Sequence, residues 1–160
     1  MGPVDYIPRI RDNYARLGYK AYHWVVNRDT APWAPLRKPL SQCKLGVAAS
    51  GGVYVTGQTA FHYKDDISYR EIPTDVDTRD LRATHFAYDL SDARTDPNVV
   101  FPIDALRRLV REGFLGSLSS RCYTFMGGIY SSRRVSEDLA PSLTARFLED
   151  GVDAVLLVPV

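Results

Sequence analysis

The residues with the widest chemical range lie between positions 85 and 96: His85, Asp89, Asp92 and Asp96. An imidazole is a candidate general base or ligand, and a nearby carboxylate can orient it. Residues 84–88 read as a strand, which would put His85 and Asp89 on one face. A plain hydrogen-bonded turn accounts for the same residues. Their spacing carries no metal signature, so no metal site is expected. The stretch from Asp75 to Asp80 lacks the glycine that a calcium loop needs at its sixth position. Ser50-Gly51-Gly52 follows an apolar run and could cradle an anion through backbone N–H groups, or be an ordinary tight turn. It is neither a P-loop nor a dinucleotide fingerprint. Cys43 and Cys122 stand far apart and outside any metal spacing. Each fits an inert buried thiol, and Cys122 also fits a thiol activated by its neighbour Arg121.

The balance of 20 basic and 19 acidic residues gives a net charge of +1. No field of one sign results, so no nucleic-acid partner is expected. With 45% hydrophobic and 24% charged residues, the 160-residue chain has the composition of a globular domain rather than a disordered one. Its longest apolar run, residues 154–160, is about a third of the ~20 residues a spanning helix needs, so no membrane partner is expected. Two unpaired cysteines and the lack of a signal pattern in residues 1–5 fit the cytoplasm.

The frame for these groups follows from periodicity and punctuation. Residues 1–42 read as a short helix and a proline-rich arm. Ile10, Tyr14 and Leu17 share one helical face, and Gly18 ends it. Pro32, Pro35 and Pro39 forbid helix or central strand in the arm, where Trp33 is the expected apolar anchor.

Residues 43–160 read as an α/β core. Residues 45–49 predict a buried strand and 67–72 an edge strand. Residues 75–82 predict an exposed charged stretch, 89–97 a loop and 102–113 a helix. Residues 117–120 read as polar loop, and the aromatic run from Tyr123 closes at Gly127-Gly128. A helix within 136–150 carries Leu139, Leu143 and Phe147, with Pro141 kinking it or starting it late. Residues 152–160 predict an apolar strand in the centre of a parallel sheet. This alternation predicts an α/β fold with a mostly parallel sheet flanked by helices. Ligands then bind past the carboxyl ends of the strands, which makes Ser50, Gly51, Gly52, His85 and Asp89 the substrate-pocket candidates.

Longer stretches carry a resemblance. They are Pro32-Trp-Ala-Pro-Leu-Arg-Lys-Pro-Leu-Ser-Gln-Cys43, Ala49-Ser-Gly-Gly52, Asp92-Ala-Arg-Thr-Asp-Pro-Asn-Val-Val-Phe-Pro-Ile-Asp-Ala-Leu-Arg107 and Glu112-Gly-Phe-Leu-Gly-Ser117. Tyr123-Thr-Phe-Met-Gly127 and Asp150-Gly-Val-Asp-Ala-Val-Leu-Leu-Val-Pro159 complete them. In these stretches the chain resembles the selenoprotein B family of the glycine, sarcosine, betaine and D-proline reductases, and most of all its short proline-reductase-type branch.

The resemblance implies a fold like one aspartate/glutamate-racemase domain and reductive cleavage of a C–N bond in an amino acid or its derivative. It implies a selenocysteine or cysteine redox centre just after the strand ending Leu-Leu-Val-Pro. The catalytic group is therefore expected just past Val160, and the domain is expected to be incomplete at its C terminus. An in-frame UGA read as a stop, a split gene or a shortened chain would each do this. A pyruvoyl group, in the proline branch, sits on a different subunit. The expected protein is a reductase component, inactive alone, in a homo- or hetero-oligomer that handles a small amino-acid-type substrate. The alternatives are a non-catalytic binding or assembly subunit of a hetero-oligomer and a different small-molecule enzyme using Cys122 or His85.

Overall fold

In a computed structural model that describes residues 5–20 and 26–160, the chain divides into two units, Met1–Trp33 and Ala34–Val160. The first holds helix α1 (Tyr6–Arg16), where the spacing of Ile10 and Tyr14 predicts it. Residues 26–36 have neither helix nor strand, as the prolines require. Trp33 is 88% exposed. Residues 1–4, read above for targeting signals, lie outside the described residues.

The second unit is built around β1 (Lys44–Ala49). Its short apolar side chains let neighbours close on both faces, because successive residues alternate across a strand. β2 (Val53–Val55) follows the Ser-Gly-Gly turn, and β3 (Tyr69–Pro73) falls where an edge strand was expected. The third element of this stretch corrects the sequence reading. The strand is β4 (Leu81–Ala83), and residues 84–88 are a turn. Leu81 and Ala83 point inward with Arg82 outward, so a short amphipathic strand was hidden in the charged stretch. β4 pairs antiparallel with β2 as a two-stranded ribbon.

Residues 89–97, expected as loop, contain the short helix α2 (Ser91–Thr95). Helix α3 (Ile103–Arg111) falls as predicted, with Ile103 and Leu106 buried. Ser117 and Leu118, expected in a polar loop, form the short strand β5 parallel to the start of β1. β6 (Arg121–Phe125) continues alongside the end of β1. One helical turn, α4 (Ser132–Arg134), leads into a π-helical stretch, Val135–Leu139, and then α5 (Ala140–Glu149). Pro141 sits at the start of α5, directly after the π-helical stretch, so the regular α-helix starts late.

β7 (Ala154–Val158) pairs parallel with β1 from Leu45↔Ala154 to Ala49↔Val158. The five-stranded sheet is thus parallel except for β3, which runs antiparallel to β6. Among the described residues β7 pairs with β1 alone. Leu157 is 69% exposed on it.

Two apolar layers flank the sheet. Val47, Ala49, Ile72 and Cys122 pack on one face with α3 residues Ile103 and Leu106 and the β2–β4 ribbon. Ala48 and Tyr123 pack on the other with Leu139, Leu143 and Phe147. Among the described residues no helix is long and apolar enough to cross a membrane.

Candidate functional site

The parallel strands β1, β6 and β7 end together, and the Ser50-Gly51-Gly52 turn joins their ends. The Ser50 N–H donates to the Val158 carbonyl at 3.0 Å, and Ser50 Oγ accepts the Val160 N–H at 3.0 Å. Gly51 bridges to Met126, and the Gly52 N–H donates to the Phe125 carbonyl at 3.1 Å. The N–H groups of Ser50 and Gly52 are therefore occupied by sheet carbonyls. The turn ties strand ends together through two of its three N–H groups. Gly52 has φ +65°, and a Cβ there would stand 2.0 Å from the Thr84 carbonyl oxygen. Only glycine lets the turn lie this close to the 84–88 segment.

That contact brings His85 to the carboxyl end. His85 is 8% exposed. Its Nδ1 accepts the Ala87 N–H at 3.0 Å, which leaves the proton of the neutral ring on Nε2. Nε2 is buried and has no hydrogen-bond partner. The ring stacks on Phe86 and lies 4.7 Å from the Tyr88 ring, between centroids. Tyr88 in turn donates its hydroxyl to the Gly51 carbonyl at 2.8 Å.

Burial alone lowers the imidazole's proton affinity below the ordinary 6.5. The folded state thus prefers His85 neutral. Its contribution to stability is present above about pH 6.5 and is lost as pH falls toward the lowered folded value. Denaturation midpoints measured between about pH 7.5 and about pH 5 should fall for the wild type and fall less for His85→Phe. Parallel curves would refute the buried neutral ring.

Asp89 does not orient His85. It is exposed and accepts the N–H and hydroxyl of Ser91, at 2.9 and 2.7 Å, at the start of α2. These bonds hold its carboxyl below the usual range. Asp96 likewise caps the next turn through the Asn98 N–H at 3.0 Å. The shared strand face that would have brought His85 and Asp89 together does not exist, because residues 84–88 turn. Asp77 is held to about 2, first by its side-chain bonds to Arg79. Among the described residues no group of three His, Cys, Asp or Glu is placed to hold a metal ion.

Cys122 is 1% exposed, and burial pushes its thiol up to about 12. Arg121 does not activate it, since neighbours on a strand face opposite ways. Cys43 is also buried, its Sγ 3.5 Å from the Lys38 carbonyl oxygen.

Arg121 instead organises a network that the sequence did not reveal, at the amino end of β6. Its guanidinium bonds Asp150 at 2.8 Å and Glu71 at 3.3 Å. Asp150 also accepts the Tyr123 hydroxyl at 2.9 Å and that of Ser119 at 3.1 Å. An open cleft of about 460 Å³ beside it is lined by Glu71, Gln58, Ser120 and Arg121. No local spacing signals this network, because Asp150 reaches it from the end of α5. Phe86, Tyr88 and the Gly127-Gly128 pair were also missed as parts of the carboxyl-end cluster; the paired glycines were their only mark in the sequence.

Comparisons with known proteins agree with the sequence resemblance. The family profile described as glycine/sarcosine/betaine reductase selenoprotein B matches residues 18–160. The D-proline reductase subunit gamma of Acetoanaerobium sticklandii is 36% identical over 125 residues, covering 78% of this chain and 52% of that protein. The glycine reductase complex component B subunit gamma of Peptoclostridium acidaminophilum is 30% identical over 131 residues, covering 75% of this chain and 28% of that protein. The sarcosine reductase complex component B subunit beta of the same organism is 29% identical over 137 residues, 81% of this chain and 30% of that protein. The chain thus spans about half the length of the first relative and about a third of the others. No solved structure matches it. The match over residues 18–160 includes every strand and the whole carboxyl-end cluster, and the chain belongs to the glycine/sarcosine/betaine reductase selenoprotein B family, in its D-proline-reductase-like branch.

Proposed function

We propose that this chain is a component of an amino-acid reductase that cleaves a C–N bond of a small amino acid or its derivative, within a cytoplasmic hetero-oligomer. The family match over residues 18–160 carries this reading. The attacking selenolate or thiolate is supplied from outside residues 1–160. Both cysteines of the chain support that assignment: each is buried, and the Cys122 thiol, pushed up to about 12, stays protonated at neutral pH. Any pyruvoyl group belongs to another subunit.

The chain's own part is a racemase-like scaffold whose strand ends form one wall of the pocket. Ser50 fixes the end of β7, where the redox group is to be presented. Gly51, Gly52 and His85 line the wall, and Asp89 stands on its rim holding α2. The unpaired edge of β7, with Val155 and Leu157 exposed, supports a further polypeptide segment pairing there.

The test is to purify the tagged chain with its complex from its own cells. Dithiothreitol-dependent reduction of D-proline, glycine, sarcosine and betaine is then followed by product formation. The complex should reduce one of the four, and the 160-residue chain expressed alone should reduce none. A complex inert toward all four would overturn the reductase reading and leave an assembly subunit. Product from the isolated chain would overturn the placement of the redox group.

A further inference from the structure

We infer that His85 Nε2–H is the donor of a carboxylate-binding subsite at the carboxyl end of the sheet, and that the Phe86 ring lying over Gly128 is its gate. The inference takes the identity of the carboxylate from the reductase reading, but the donor and the gate stand on geometry alone.

The donor is fixed by its surroundings. Nδ1 is engaged by the Ala87 N–H at 3.0 Å, so the ring's proton sits on Nε2. That N–H is fully buried and unpaired, a rare state for a polar group. It is the one buried side-chain nitrogen or oxygen without a partner among the described residues. The adjoining Cδ2 stands 3.6 Å from where a Cβ on Gly52 would be, so the orphaned edge borders the glycine turn.

Beside this edge lies a partly exposed aromatic side chain. Phe86 is 44% exposed, and its ring stacks on His85 at 5.6 Å with an 11° interplanar angle. A Cβ on Gly128 would lie 2.2 Å from the ring's Cζ, so Phe86 rests directly on bare backbone. Rotation of Phe86 into solvent breaks no hydrogen bond of its own. It opens a space walled by glycine backbone, with one neutral N–H donor and the Tyr88 ring. A single neutral donor suits a carboxylate oxygen better than a phosphate, which calls for several donors or a cation. The Tyr88 ring face suits the ammonium end of the same zwitterion.

The test follows the imidazole nitrogens of the ¹⁵N-labelled chain by NMR. The chain has three histidines, and His85→Gln assigns the signal of interest. Betaine and D-proline are the probes, with D-proline methyl ester as the uncharged-oxygen control. Both carboxylates should shift His85 Nε2 saturably at neutral pH and raise its titration midpoint, and the ester should do neither. Phe86→Ala, and Gly128→Ala, whose methyl displaces the ring, should each tighten betaine binding about three- to tenfold by removing the closed state. By equilibrium dialysis of betaine, His85→Gln, which keeps an N–H donor, should retain binding that His85→Phe loses, with the far-UV spectrum unchanged in both. No saturable shift in wild type or Phe86→Ala, an equal response to the ester, or full binding by His85→Phe would each overturn the subsite.

The reductase reading fails separately. An inert complex whose His85 still answers to carboxylates removes that reading and leaves the subsite. A complex that turns over while His85 stays silent does the reverse.

Discussion

Asp150→Ala is expected to lower the unfolding free energy by roughly 2 kcal/mol, chiefly by leaving two buried hydroxyls without their acceptor, since the ion pair with Arg121 is partly exposed. The Asp150 side chain is 8% exposed, and it is the common acceptor for Arg121, Tyr123 and Ser119. Removing it leaves the Tyr123 and Ser119 hydroxyls buried without that acceptor, and each unpaired group carries its own desolvation cost. The bonds from Arg121 are the main reason its carboxyl lies below the ordinary 3.8. This stabilisation is present above the unfolded value and is lost as pH falls through the lowered folded value. Asp150→Asn keeps an oxygen acceptor but loses the charge, so it should cost less than alanine at neutral pH. The gap between wild type and Asp150→Asn should begin to narrow below about pH 4 and close only below the lowered folded value. Urea denaturation at both pH values reads these differences directly. An alanine variant within about 1 kcal/mol of wild type would show that the network adds little beyond its surface part.

Gly52→Ala should disturb the carboxyl end far more than an alanine elsewhere in a left-handed turn. Gly57 has φ +96° with nothing within 4 Å of where a Cβ would stand, so Gly57→Ala should cost only the backbone term, about 1 kcal/mol. At Gly52 the same backbone term is joined by a methyl 2.0 Å from the Thr84 carbonyl oxygen. The 84–88 segment must retreat, and the Thr84 N–H bond to the Gly52 carbonyl, 3.0 Å long, must stretch or break. A loss of roughly 3 kcal/mol is expected, together with a changed environment for His85. Melting curves of the two variants, with the His85 imidazole signal beside them, make the comparison. Equal losses at both positions would mean that the turn and the His85 segment are not packed as described.

The elements with strong local signatures were legible in the residues. β1 is a short apolar run cut off by Ser50-Gly51-Gly52, and α3 carries a clean helical period. The start of α5 near Pro141 follows from the ring's missing N–H. The β2–β4 ribbon was not legible, because each strand has three residues and is defined by the other rather than by its own pattern. Aromatic residues at 86 and 88 imitated a strand one step further along. α2 was masked by the acidic residues at 89, 92 and 96, whose side chains serve turns as readily as sites.

Residue identity and order along the chain suffice for the family, the α/β class and the Ser50–Gly52 and His85 candidates. Packing in three dimensions settles what they leave open: Asp89 stands apart from His85, and Cys122 is shut away from Arg121. The orphaned His85 Nε2 and the Asp150 network emerge at that level alone. Local periodicity records which way a side chain points from its own backbone, whereas burial and partnership depend on segments far away in sequence, such as Asp150 meeting Arg121 across 29 positions.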